Sequence, residues 1–317
     1  MQKIFRLAVL LSVITLTAFA SPAGAAEPLK VVASFSIIED FARNVGGDRV
    51  ALRTLVGPNG DAHVYEPKPA DAVAMAGADV VLVNGLHFEG FLQRLVEASA
   101  SKATVVELTK GVEPLTMEEE GHGHESEGEQ AAEAEEGHDH GAIDPHAFQS
   151  IANAEIYVKN IADAFCAADA AGCDAYKANA AAYTEKLAAL ESEVKAAVAS
   201  IPADKRVIIS SHDAFGYFEH EYGLEFLAPE GISTESEASA ADVAALIEQI
   251  RHDKASAIFV ENITNQRLIE QIASETGLKI GGTLYSDALS GADGPAATYI
   301  DMMKNNIGAI KGAILGS

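Results

Sequence analysis

Tryptophan is missing from this chain, so its aromatic packing rests on phenylalanine and tyrosine. Cysteine is nearly missing: Cys166 and Cys173 are the only two. Two thiols are too few to build a disulfide scaffold, and with no histidine beside them they complete no metal shell. In an oxidising compartment they are close enough to pair, with two separate thiols as the alternative. Basic residues are scarce: 22 Lys and Arg stand against 47 Asp and Glu, a formal net charge of −25. That balance excludes nucleic acid as a partner, because phosphate binding needs basic surface. Beyond residue 26 no apolar run reaches the ~20 residues that a membrane span requires.

The N-terminus has the form of an export signal. Lys3 and Arg6 supply positive charge, Leu7 to Ala20 is apolar, and Ala23-Gly24-Ala25-Ala26 offers small residues for cleavage. Residues 1–26 are therefore expected to be removed, with the mature chain starting near Ala26 or Glu27. No cysteine stands near that point, which argues against a lipid anchor. The mature chain is long enough for two domains.

Two stretches of the sequence follow one plan. From Leu29 to about Lys110, apolar runs at Lys30–Ile37, Val50–Val56, Ala78–Asn84 and Thr104–Leu108 alternate with helical patterns at Ile38–Val45, Pro69–Ala76 and Phe88–Ala98. From Arg206 onward, runs at Val207–Ser211, Glu225–Ala228, Ala257–Glu261 and Lys279–Leu284 alternate with helical patterns at Ala214–Tyr222, Ala240–Arg251, Gln266–Thr276 and Ala296–Leu315. Such alternation predicts parallel sheets built from βαβ units. Between them lie a helical pattern at Asn153–Phe165 and an alanine-rich run, Asp174–Ser200, free of Gly and Pro, which predicts one long helix. The expected architecture is α/β: two Rossmann-like lobes with parallel sheets, 27–172 and 201–317, joined by a backbone helix at 173–200.

Residues 117–142 stand apart. Ten acidic residues and no Lys or Arg lie between Glu118 and His140, and His122, His124, His138 and His140 form two His-x-His pairs. The low apolar content predicts a disordered insertion that binds metal weakly or serves only as a solvated tether.

Three of the remaining histidines share a context. His63 follows the run ending at Val56, His212 follows Val207–Ser211, and His146 stands in Asp144-Pro145-His146 ahead of a helix. Asp287 holds a matching place after Leu284. In open parallel sheets, ligands bind beyond the carboxyl ends of the strands. Two candidates from each lobe can meet only in the cleft between lobes. Three imidazoles and one carboxylate suit tetrahedral Zn²⁺, whereas Mn²⁺ and Mg²⁺ prefer more oxygen; copper and nickel would also accept imidazoles. Asp61, Glu66 and Asp213 are neighbours able to orient the rings. His87, read as opening a helix, His220 and His252 have surface or packing roles.

The segments Asp61-Ala-His-Val-Tyr-Glu-Pro67, Asp144-Pro-His146, Ser211-His-Asp-Ala-Phe-Gly-Tyr-Phe218, Gly231-Ile-Ser-Thr-Glu-Ser-Glu237 and Tyr285-Ser-Asp-Ala-Leu-Ser290 together resemble the metal receptors of bacterial zinc and manganese ABC importers, the cluster A-I solute-binding proteins, and among them the zinc-specific ZnuA/AztC-like branch. The resemblance covers nearly the whole mature chain. It implies two lobes around a long helix and a metal in the cleft held by His63, His146, His212 and Asp287. It also implies a monomeric periplasmic receptor whose partners are a permease and its ATPase, with a periplasmic zinc chaperone as a candidate donor. Manganese receptors of the family commonly place glutamate where His212 stands, which favours Zn²⁺. The chain departs from the family at Phe148, where tryptophan is frequent, and at Ala238, where proline is common; neither position supplies a ligand. The rival readings are a Mn²⁺ or Fe²⁺ receptor of the same family, an adhesin or storage protein without a transporter, and a zinc-dependent hydrolase. Against the last, there is no His-Glu-x-x-His motif, and a four-ligand centre leaves no position for substrate.

Overall fold

A computed structural model describes residues 27–116 and 143–316. The export-signal segment and the four histidines between Glu118 and His140 lie outside the described residues. Thr116 and Ile143, on either side of that insertion, pair in an antiparallel bridge.

Each half of the chain forms a four-stranded sheet with every pair parallel. In the first, β1 (Leu29–Phe35), β2 (Val50–Val56), β3 (Val80–Val83) and β4 (Thr104–Glu107) lie in the order β2-β1-β3-β4. In the second, β5 (Val207–Ile209), β6 (Glu225–Leu227), β7 (Ala257–Glu261) and β8 (Ile280–Leu284) repeat that order as β6-β5-β7-β8. The central strands are mostly apolar because both faces are covered: Val80–Val83 and Ala257–Glu261 are buried at every residue, and Glu261, at the end of its strand, is the one charged group among them. In each sheet the chain leaves the second-numbered strand on one side and crosses to the other, which opens a crevice at the carboxyl ends of the central pair.

Helices cover the sheets: α1 (Ser36–Gly46), α2 (Pro69–Ala76) and α3 (Leu92–Ser99) in the first half, and α6 (Gly216–Tyr222), α7 (Ala240–Asp253), α8 (Gln266–Thr276) and α9 (Tyr299–Leu315) in the second. Between them run α4 (Ile151–Ala168) and α5 (Cys173–Ala199). The 27 residues of α5 span about 40 Å at the usual rise. Its buried stripe, Tyr176, Ala180, Tyr183, Leu187, Leu190, Val194 and Val198, steps by three or four residues, as a helix resting on one continuous surface requires. That surface belongs to both halves, since α5 packs on α1 and on α9. Asp40 of α1 knits them further: its carboxylate accepts from Tyr183 Oη at 3.2 Å and from the Tyr299 backbone N–H at 3.0 Å. One apolar core runs through both halves, from Phe35 and Phe41 to Phe259 and Met303. A smaller one, around Ile209, Leu246 and Ile258, lies under α7 and α8.

Cys166 and Cys173 are joined by a disulfide across the break between α4 and α5. Three expectations need correction. The pattern at Phe88–Ala98 becomes a helix only from Leu92, because Phe88 and Phe91 are buried in a preceding turn. His87 therefore opens no helix; it sits in that turn with a left-handed backbone, φ 64°. The last helix begins at Tyr299 rather than Ala296, where Thr298 caps it by accepting from the Asp301 N–H.

Candidate metal centre

The loops that leave the strand ends carry the chemistry. His63 lies in the loop after β2, and its backbone N–H donates to Asp61 Oδ1 at 2.9 Å, a local turn that aims the ring inward. His146 follows Pro145, whose carbonyl accepts from Asn84 Nδ2 at the end of β3. His212 follows β5 and bridges to Glu230, and Asp287 follows β8. All four are buried.

Their donor atoms converge. Every one of the four lies within 4.8 Å of the others. Asp287 Oδ2 is 3.1 Å from His63 Nε2 and 3.1 Å from His212 Nε2, and Asp287 Oδ1 is 3.6 Å from His146 Nε2. The two imidazole nitrogens of His63 and His146 stand 3.3 Å apart. Around an ion with metal–ligand bonds near 2.0–2.1 Å, the edge of a tetrahedron is about 3.3 Å. The separations are thus those of ligands gathered on one small cation. Asp287 Oδ1 is buried without a hydrogen-bond partner, which a carboxylate oxygen tolerates poorly unless a positive charge faces it.

Two further carboxylates prepare the rings. Asp144 Oδ1 accepts from His146 Nδ1 at 2.7 Å and from the His146 backbone N–H at 2.8 Å. Glu261, the last residue of β7, accepts from His212 Nδ1 at 2.6 Å, from the backbone N–H groups of Ser211 and His212, and from Ser286 Oγ. With Nδ1 donating outward, the lone pair of each ring sits on Nε2, facing the centre. Burial alone would pull the His146 imidazole down, but Asp287 and Asp144 outweigh it and raise its pKa to about 9. Burial likewise opposes a charged His212, and Glu261 and Asp287 overcome it, raising that ring well above its ordinary value. Burial pushes Asp287 up, yet His146 and His212 hold it well below the usual carboxylate range.

The sequence put the orienting role on Asp61, Glu66 and Asp213. Asp61 instead meets the backbone of His63 and accepts from Thr234 Oγ1 across the cleft at 2.6 Å, and Glu66 is exposed. The carboxylates on the rings of His146 and His212 are Asp144 and Glu261. Glu261 had a readable signal, since it ends a strand of the second sheet as the ligand loops do. Glu89 is a further buried acid without a signal in the sequence: it accepts from Ser34 Oγ and from the backbone N–H groups of Asn84 and Gly85, and burial raises its pKa. His220 and His252 are exposed on their helices.

A buried centre of nitrogen and oxygen donors, drawn from both halves of a two-sheet α/β molecule at the carboxyl ends of its strands, defines a protein that encloses a metal ion between its lobes. Comparison with known proteins carries this further. The family model described as "Zinc-uptake complex component A periplasmic" (ZnuA) matches residues 31–313. The chain is 32% identical over 290 residues to the iron-binding protein YfeA of Yersinia pestis, covering 92% of this chain and 88% of that protein. It is 34% identical over 281 residues to the manganese-binding lipoprotein MntA of Halalkalibacterium halodurans, covering 89% and 87%. Among solved structures, the periplasmic zinc-binding protein TroA from Treponema pallidum superposes with a TM-score of 0.81 at 29% identity, covering 91% of this chain and 99% of that one. The chain belongs to the ZnuA family of metal-binding receptors of ABC importers. It is an extracytoplasmic binding protein for a divalent metal ion rather than an enzyme, and its partner is a permease with its ATPase.

Proposed function

We propose that this receptor captures Zn²⁺, and that His63, His146, His212 and Asp287 are its ligands. The observation that carries this reading is the donor set: three imidazole nitrogens and one carboxylate, buried and spaced as tetrahedral edges. Nitrogen-rich four-coordination suits Zn²⁺, whereas Mn²⁺ favours six ligands rich in oxygen. The ion enters the cleft, sheds its waters, and is fixed by two ligands from each lobe, 27–172 and 201–317, with the helix at 173–200 limiting how far they part. In this reading the receptor is a soluble periplasmic monomer released by cleavage near residue 26, and a periplasmic zinc chaperone is a candidate donor.

A second reading, Mn²⁺ or Fe²⁺, draws support from relatives whose names specify iron and manganese. It also draws support from Asp287, both of whose oxygens face the rings and could bind one ion together. Metal analysis of the purified protein, followed by competition titration of Zn²⁺ against Mn²⁺ and Fe²⁺, separates the two. Because almost any nitrogen and oxygen site prefers Zn²⁺ to Mn²⁺, the native load decides: zinc co-purifying with the protein supports the first reading, and Mn²⁺ or Fe²⁺ in its place, or parity with Mn²⁺ in the titration, would sink it.

A further inference from the structure

Beside the metal centre lies a cavity of about 260 Å³ whose walls come from both lobes. His63 forms part of its floor, and His63 is the one ligand among the four whose side chain keeps any exposure, 4% against 0% for the rest. The cavity therefore reaches the centre past the His63 ring. Phe88 packs against that ring, with centroids 4.8 Å apart, and closes the wall behind it.

Two groups able to bind a cation stand on the walls, one from each lobe. His87 is held there by an unusual turn: Gly85, Leu86 and His87 have consecutive positive φ values of 90°, 52° and 64°. For Leu and His this backbone is unfavourable, and such strain persists only where the surroundings impose it. The turn is anchored at both ends: buried Glu89 binds the N–H groups of Asn84 and Gly85, and the Phe88 N–H donates to the Gly85 carbonyl at 3.1 Å. From the other lobe comes Glu235, beside Ser233, whose Oγ accepts its backbone N–H. Its carboxylate reaches across the cleft, since a Cβ on Gly90 would stand 3.7 Å from Glu235 Oε1.

From this geometry we infer that the cavity is the way in and out for the metal, and that His87 and Glu235 hold the partly hydrated divalent cation at its mouth before it passes His63. This rests on the assignment of the metal centre made above. A group that binds the ion in passing stabilises a state through which both capture and release must go. Removing it slows both by one factor and leaves the equilibrium alone. Opposed charge in a cleft with apolar walls raises local cation concentration and on-rates by roughly 10–10³-fold.

The test is stopped-flow transfer of Zn²⁺ from a chromogenic chelator to the full chain, and release to excess EDTA, in the His87→Asn, Glu235→Gln double variant. Asn tolerates the left-handed backbone, so the turn survives. Both rate constants are expected to fall about tenfold, with the dissociation constant unchanged within twofold. Rates equal to those of the parent chain overturn the inference. So does a weakened equilibrium with unchanged capture, or a loss of capture rate reproduced by Glu270→Gln, an exposed charge on α8. His63→Ala, measured alongside, tells the two claims apart. If it leaves tight binding intact, the centre itself is misassigned, whereas unchanged rates in the double variant reject only the cavity's role.

Discussion

Metal capture at this centre should exchange one divalent cation for about two protons. Asp144, Glu261 and Asp287 bring three negative charges to it, and His146 and His212 bring two positive ones when protonated. A divalent ion bound to neutral rings replaces those two charges one for one, so the net charge is the same in either state. The raised pKa values say that the protons are held before the metal arrives: His146 titrates at about 9 and His212 well above its ordinary value. The sign follows. Below pH 9 the metal must displace protons, so affinity falls as pH falls, and it recovers as pH rises. For His146 alone, a pKa of about 9 set against pH 7 amounts to roughly a hundredfold in affinity. With both rings protonated, affinity changes by about a hundredfold per pH unit between pH 6 and 8. Titration calorimetry at pH 7 in buffers of different ionisation enthalpy counts the protons released. Glu261→Gln, which removes a carboxylate holding the His212 proton, should lower the count by about one. Release of fewer than one proton at pH 7, or a flat affinity across pH 6–8, would refute the reasoning.

Other outcomes follow from the same structure. His63→Ala, His146→Ala and His212→Ala should each weaken Zn²⁺ binding by more than a hundredfold, and Asp287→Ala by less, because losing it also spares the cost of burying a carboxylate; a competition titration ranks them. Cys166→Ser with Cys173→Ser opens a loop of about eight residues and should cost roughly 2–3 kcal/mol of unfolding free energy, read in urea melts, with metal stoichiometry unchanged. Deleting Glu118–His140 should leave one tight site per chain by equilibrium dialysis while removing weak binding. Loss of the tight site would move the assignment away from the cleft.

Much of the molecule was legible in one dimension. Val50–Val56, Pro69–Ala76, Ala257–Glu261 and Gln266–Thr276 stand in the structure at the bounds their patterns indicate, and Asp174–Ser200 differs by one residue at each end. Local chemistry suffices there: alanine favours helix, β-branched runs favour strand, and Pro or Asn marks a start. The candidate ligands were legible for a related reason. Chain order places each one after a strand or ahead of a helix, and parallel topology brings those ends to one side.

What the sequence could not supply was which groups touch. Asp144, two residues before His146, holds that ring as a local partner, but the carboxylate on His212 is Glu261, from 49 residues away. The pattern at Phe88–Ala98 predicts a helix opened by His87, whereas His87 stands in a left-handed turn beside the backbone N–H groups of Asn84 and Gly85 that Glu89 binds. Local preference set the strands, helices and residue types of this protein. Tertiary packing decided the carboxylate on His212 and the cavity walls, because hydrogen bonds and burial between distant residues act through space and carry no period along the chain.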